Sequence, residues 1–153
     1  MSRVLGVSNA ERPGVYDALE VAASGLGAER DRMNVIASNL ANARTTRGAD
    51  GQPYKRMDPV FTAKALRPTA ADAVMRSVMA VQLSQVRADP TPGQLVYDPE
   101  HPDANADGYV EYPNVNVVTE MVNLMTASRA YEAGVTTIES IKAMARAAIK
   151  IGQ

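Results

Sequence analysis

The chain has 153 residues, a net charge near zero and no cysteine. That predicts one domain, or one rod-like unit with a small insert. It leaves no disulfide or thiolate chemistry, and no electrostatic pull toward nucleic acid or an anionic membrane. One Phe, no Trp and eight Met predict a core of Ala, Val, Leu and Met between helices.

Residues 1–12, MSRVLGVSNAER, read as a loose lead without the apolar centre of a cleavable signal. No run of about 18 apolar residues is present to span a membrane. The expectation is a cytoplasmic protein, or one exported by a route that needs no such signal.

Pro13 suits the first turn of a helix, where its missing N–H costs nothing. From there Val15, Leu19, Ala22, Leu26, Met33, Ile36 and Leu40 step by four and three, with Glu29 the exception. This heptad seam predicts a helix over 13–43, about 45 Å long. Gly25 and Gly27 weaken it by roughly 1 kcal/mol each relative to Ala, and are read as allowing close helix contact or a bend. The stretch Met33–Ala43 has no charge but holds Asn34, Asn39 and Asn42. Two readings stand: a fraying end with solvated amides, or a buried interface whose amides fix register.

Residues 44–115 hold eight of the nine prolines and read as a small β insert. TTRGADGQPYKR is an exposed turn leading to a strand near Pro53–Phe61. Lys64–Met75 reads as a short helix or a loop, Arg76–Arg87 as a half-buried strand, and Gln94–Tyr97 and Tyr109–Tyr112 as two short strands. Asp103-x-Asn105-x-Asp107-Gly108 has the front half of a calcium loop. Its twelfth position is Asn114 rather than Glu, so the expectation is a run of Asx turns closing a hairpin. His101 is the only histidine, and a lone loop histidine is more often solvated than catalytic. No phosphate loop, His/Cys metal cluster or nucleophile arrangement points to an enzyme.

The last stretch, 116–153, has no proline and reads as a helix about 50 Å long. Val117, Met121, Leu124, Tyr131, Val135 and Ile138 make its seam, continued by Ile141, Ala145 and Ala148. Between Asn116 and Ser128 the only charge is Glu120, and Val118, Val122 and Met125 spread apolar surface around the circumference. A helix apolar all round must be buried all round, which a chain this short hardly does alone. Glu132, Glu139, Lys142, Arg146 and Lys150 give the back half a solvated face. The fold expected is mainly α with a small β insert. Two long terminal helices pair antiparallel in a coiled-coil-like manner around a central hairpin and loop region.

ASNLANARTT, GQPYKRMDPVF and LVYDPEHPDANADGYVEYPNVNVVTEMVNLMTASRAYEAGV resemble the flagellar basal-body rod proteins, the proximal-rod type in particular. The resemblance runs from about Tyr16 to Gly152 and is weakest over 1–14 and 64–88. Arg44 stands where the family usually has a small polar residue. The resemblance implies a structural protein without cofactor, whose terminal helices pack into a tubular inner layer while the insert faces outwards. It implies export by the flagellar type III apparatus without a cleaved signal, and assembly in the periplasm. The partners it implies are further copies, rod subunits of the FlgB, FlgF and FlgG types, and the rod-to-ring adaptor FliE. The subunit-interface residues expected are Asn34, Asn39, Leu40, Asn42, Val117, Val118, Met121, Val122, Leu124, Met125, Tyr131, Val135 and Ile138. The alternative from another class is a soluble calcium-binding or coiled-coil adaptor module.

Overall fold

The computed structural model describes residues 14–66 and 78–151. Its element order is α1 (Val15–Ala41), β1 (Met57–Ala65), β2 (Met79–Ala88), β3 (Gln94–Tyr97), β4 (Tyr109–Tyr112) and α2 (Val117–Ile151). Two long helices thus flank a small β insert, as expected. Pro13 and the N-terminal lead lie outside the described residues. So do residues 67–75 of the stretch read as helix or loop, and 76–77 at the start of the expected second strand. Lys64 and Ala65 extend β1 instead.

Local chemistry sets the helix ends. The Asp17 carboxylate accepts the Gly14 N–H at 2.8 Å, satisfying a first-turn donor. Asn42 closes α1, its N–H and its side-chain amide both donating to the Ser38 carbonyl. Asn116 caps α2, its Oδ1 accepting the Thr119 N–H at 3.0 Å.

The helices pack antiparallel. Leu26 lies over Gly134, where an added Cβ would come within 2.7 Å of Leu26 Cδ2. The glycine that permits close approach is therefore Gly134. A Cβ added at Gly25 or Gly27 would meet nothing within 4 Å, which corrects the reading of them as sites of close helix contact. The α2 seam is also rotated. Glu120, Leu124, Ala127, Tyr131, Gly134, Ile138, Ile141 and Ala145 are buried or half-buried. Val117, Met121 and Val135 are exposed at 46%, 53% and 36%, so they leave the intramolecular seam. Small Ala127 and Gly134 let the helices close, and a charged residue takes the place that an apolar pattern cannot foresee.

In the insert, β1 and β2 pair antiparallel with a shift between Val60 and Phe61, and β3 and β4 pair antiparallel from Gln94↔Tyr112 to Tyr97↔Tyr109. These are two separate two-stranded sheets. A lone hairpin is marginal in water, and here α1 packs on β1 and β2. Ser24 Oγ reaches β2 by accepting the Val81 N–H at 3.1 Å. Among the described residues the buried apolar side chains are few: Ile36, Ala80, Val110, Pro113 and Ala127. Asn39 and Glu120 are as deeply buried as any of them.

Candidate assembly site

Three parts of the chain meet at Asn39, in the last turn of α1. Its carboxamide pairs with the Met57 backbone as a neighbouring strand would. Nδ2 donates to the Met57 carbonyl at 2.9 Å, and Oδ1 accepts the Met57 N–H at 2.9 Å. Nδ2 also donates to Glu120 Oε2 at 3.1 Å, and the Tyr54 hydroxyl donates to Oδ1 at 2.9 Å. With four bonds the amide is saturated. One side chain of α1 therefore holds the start of β1 and the first turn of α2.

Glu120 is 1% exposed. An unpaired carboxylate there would be costly. It is paired: Arg56 Nε donates to Glu120 Oε1 at 2.9 Å, and the Asn123 amide lies at 3.4 Å. Arg56 Nη1 also donates to Asp58. Partial burial works against the Arg56 guanidinium, but its bonds to Glu120 and Asp58 outweigh this and raise it further above its ordinary range. The Arg56 N–H is held by Asn114 Oδ1 at 2.7 Å, and Asn114 Nδ2 donates to the carbonyls of Asp89 and Thr91. The joint thus ties α1, α2, β1 and the turn after β2 together.

Beside this joint α2 presents an apolar face to solvent. Val118 is 71% exposed, Met121 53%, Val122 51% and Met125 56%. Val118, Val122 and Met125 follow the four-and-three spacing of one stripe.

The structure divides the expected interface residues into three groups. Val117, Val118, Met121, Val122, Met125 and Val135 are exposed on α2. Leu124, Tyr131 and Ile138 are half-buried on the seam with α1, as Leu40 is on the other helix. Among the asparagines, Asn34 is exposed and Asn42 serves the helix end, its Oδ1 accepting from the Thr45 hydroxyl. Asn39 is a correction: its amide is fully used inside the chain and offers nothing to another subunit. Sequence reasoning missed Arg56, Tyr54, Asn114 and the role of Glu120. The one available signal was Glu120 itself, a single charge in an otherwise apolar turn.

The remaining candidates serve the insert. Asp103 accepts from the Thr46 hydroxyl at 2.7 Å and faces Arg47 at 3.4 Å. Asn105 Oδ1 accepts the N–H groups of Asp107 and Tyr109, so the Asp-rich segment is a set of Asx turns between β3 and β4. His101 is half-buried rather than free, its Nδ1 accepting the Asp103 N–H at 3.1 Å. Among the described residues no three His, Cys, Asp or Glu side chains group to hold a metal, and no helix is long and apolar enough to cross a membrane.

Comparison with known proteins follows the same division of the chain. Residues 19–49 match the family described as flagella basal body rod protein, and residues 106–151 match the flagellar basal body rod FlgEFG protein C-terminal family. The flagellar basal-body rod protein FlgC of Escherichia coli O157:H7 is 44% identical over 134 residues, covering 88% of this chain and 95% of that protein. The protein of that name in Borreliella burgdorferi is 40% identical over 150 residues, covering 92% and 99%. That in Bacillus subtilis is 39% identical over 150 residues, covering 90% and 98%.

Proposed function

Because the chain belongs to the FlgC family of flagellar basal-body rod proteins, a structural subunit of the rod, we propose that it assembles by burying the exposed face of α2 against neighbouring subunits. The observation that carries this is Val118, Met121, Val122 and Met125, all more than half exposed beside a joint that is already saturated. Each such side chain is worth about 1.5–3 kcal/mol when buried, and the contact repeats in every copy. The two helices form the paired rod-core unit, and residues 44–115 form the insert carried on its outside.

The neighbours we propose are further copies, the FlgB, FlgF and FlgG types of rod subunit and the adaptor FliE. The setting is the periplasm, reached through the flagellar type III apparatus. The role is structural, with no catalytic step. The test is complementation of a strain lacking this chain with Val122→Glu, followed by swimming assays and electron microscopy of isolated basal bodies. The expected result is a soluble, exported subunit and rods arrested at this position, because burying an unpaired carboxylate is costly. Normal rods and normal swimming would overturn the proposal.

A further inference from the structure

All the sulfur of this chain is thioether, because it has eight methionines and no cysteine. Among the described residues, Met33 and Met57 are half-buried, whereas Met79, Met121, Met125 and Met144 are exposed. Exposure alone does not separate these last, but their neighbours do. Met79 stands at the start of β2, and Met144 stands in the charged back half of α2. Met121 and Met125 are spaced i and i+4, so their side chains lie one above the other on α2. Val118 and Val122 beside them are also exposed and apolar. The two thioethers are therefore set in the surface proposed above to be buried between subunits. Methionine suits such a surface, since its flexible and polarisable chain adapts to a partner.

The same sulfur carries a liability. A thioether is apolar, but an oxygen-donating oxidant converts it into a polar, chiral sulfoxide. With hypochlorous acid the step balances within the pair. The sulfur gives an electron pair, an S–O bond forms and the O–Cl bond breaks. Sulfur is oxidised, chlorine is reduced to chloride, and a proton is released. Reactivity follows exposure, so the open face of the free chain is the form that reacts. A sulfoxide oxygen then buried without a donor weakens a contact about tenfold.

We propose that Met121 and Met125 form an oxidative modification site, at which sulfoxide formation on the free subunit blocks its entry into the rod. The proposal rests on the assembly reading above, and adds a regulation of the same face. Sulfoxide reductases return the thioether, so the block is reversible. A subunit already seated has the pair covered and is spared.

The experiment has two measurements on the natural, full-length chain. In the first, the purified chain meets limiting hypochlorous acid, and its sulfoxides are mapped by peptide mass spectrometry. Sulfoxide at Met121 and Met125 is expected about threefold ahead of that at Met33 and Met57, in line with exposure. Equal oxidation of all the described methionines overturns the site outright. In the second, the chain is induced in a strain lacking it, and the cells receive a pulse of hypochlorous acid. Free methionine quenches the oxidant before rods containing the chain appear. The basal bodies formed later are then mapped beside the unassembled pool. Sulfoxide at Met121 and Met125 is expected to be about tenfold scarcer in the rods, while sulfoxide at Met79 and Met144 is shared evenly between the two pools. Even sharing at all these positions overturns the block. Equal depletion at all of them traces the exclusion to some other damage, and overturns it too. Either outcome leaves the rod reading standing. Rods that lack the chain in cells given no oxidant sink that reading and this one with it.

Discussion

The two halves of α2 invert each other. In the front half, Val117–Ser128, the single charge is buried and the valines and methionines face water. In the back half the charges Glu132, Glu139, Lys142, Arg146 and Lys150 are exposed, and Tyr131, Ile138 and Ile141 turn toward α1. The back half obeys the ordinary rule of an amphipathic helix. The front half breaks it because two demands meet there. The chain needs one defined joint between its helices and its insert, which directional bonds supply. The apolar surface left outside is the one proposed above to be covered by neighbouring subunits.

The sharpest break of this comparison is at the joint. Asn39→Leu removes both bonds to Met57, strands the Tyr54 hydroxyl and leaves Glu120 Oε2 without its donor. A loss of about 2–4 kcal/mol in monomer stability is expected, the range for buried polar groups left unpaired. Urea titration followed by circular dichroism measures it. A loss under about 0.5 kcal/mol would mean the joint does not hold the monomer together.

Both helices are legible in the sequence to within two residues, because four-and-three periodicity survives over more than twenty residues. The short strands Gln94–Tyr97 and Tyr109–Tyr112 are legible for a different reason: Asx-rich turns bracket them. The joint is not legible. Asn39, Tyr54, Arg56, Asn114 and Glu120 are scattered along the chain, and nothing local says which asparagine of Asn34, Asn39 and Asn42 is saturated inside. The seam of α2 is misread for a related reason. Periodicity marks apolar positions, whereas the closest helix contact belongs to Gly134 and the largest fully buried side chain is Glu120.

A pair of glycine substitutions sharpens the contrast between packed and open faces. Gly134→Ala forces Leu26 to move and is expected to cost about 1–2 kcal/mol of overpacking, partly offset by better helix propensity. Gly25→Ala meets nothing, and should stabilise the monomer by about 0.4–1 kcal/mol. Thermal unfolding of the two variants decides it. Equal shifts would show that the helices do not approach most closely at Gly134.

The smallest effect concerns the insert. The hydrogen bond from Lys55, then that from the Gly93 N–H, hold the Glu111 carboxyl below its usual range. A group whose pKa falls on folding binds fewer protons when folded, so it stabilises above the unfolded carboxylate range. That contribution fades as pH drops through the lowered folded value. Glu111→Gln should therefore flatten the acid limb of insert stability and leave the neutral region nearly unchanged. Unfolding midpoints between acid and neutral pH read this directly, and an identical acid limb in the variant would show that Glu111 contributes nothing there.

The central claim is that the front of α2 is open in the single chain and covered in the rod. The absence of cysteine allows a direct reading, through the rate of maleimide labelling at Val122→Cys in the purified monomer and in isolated basal bodies. Fast labelling in the monomer and strong protection in the rod is the result expected. Equal labelling in both would place this face in solvent throughout and contradict the claim.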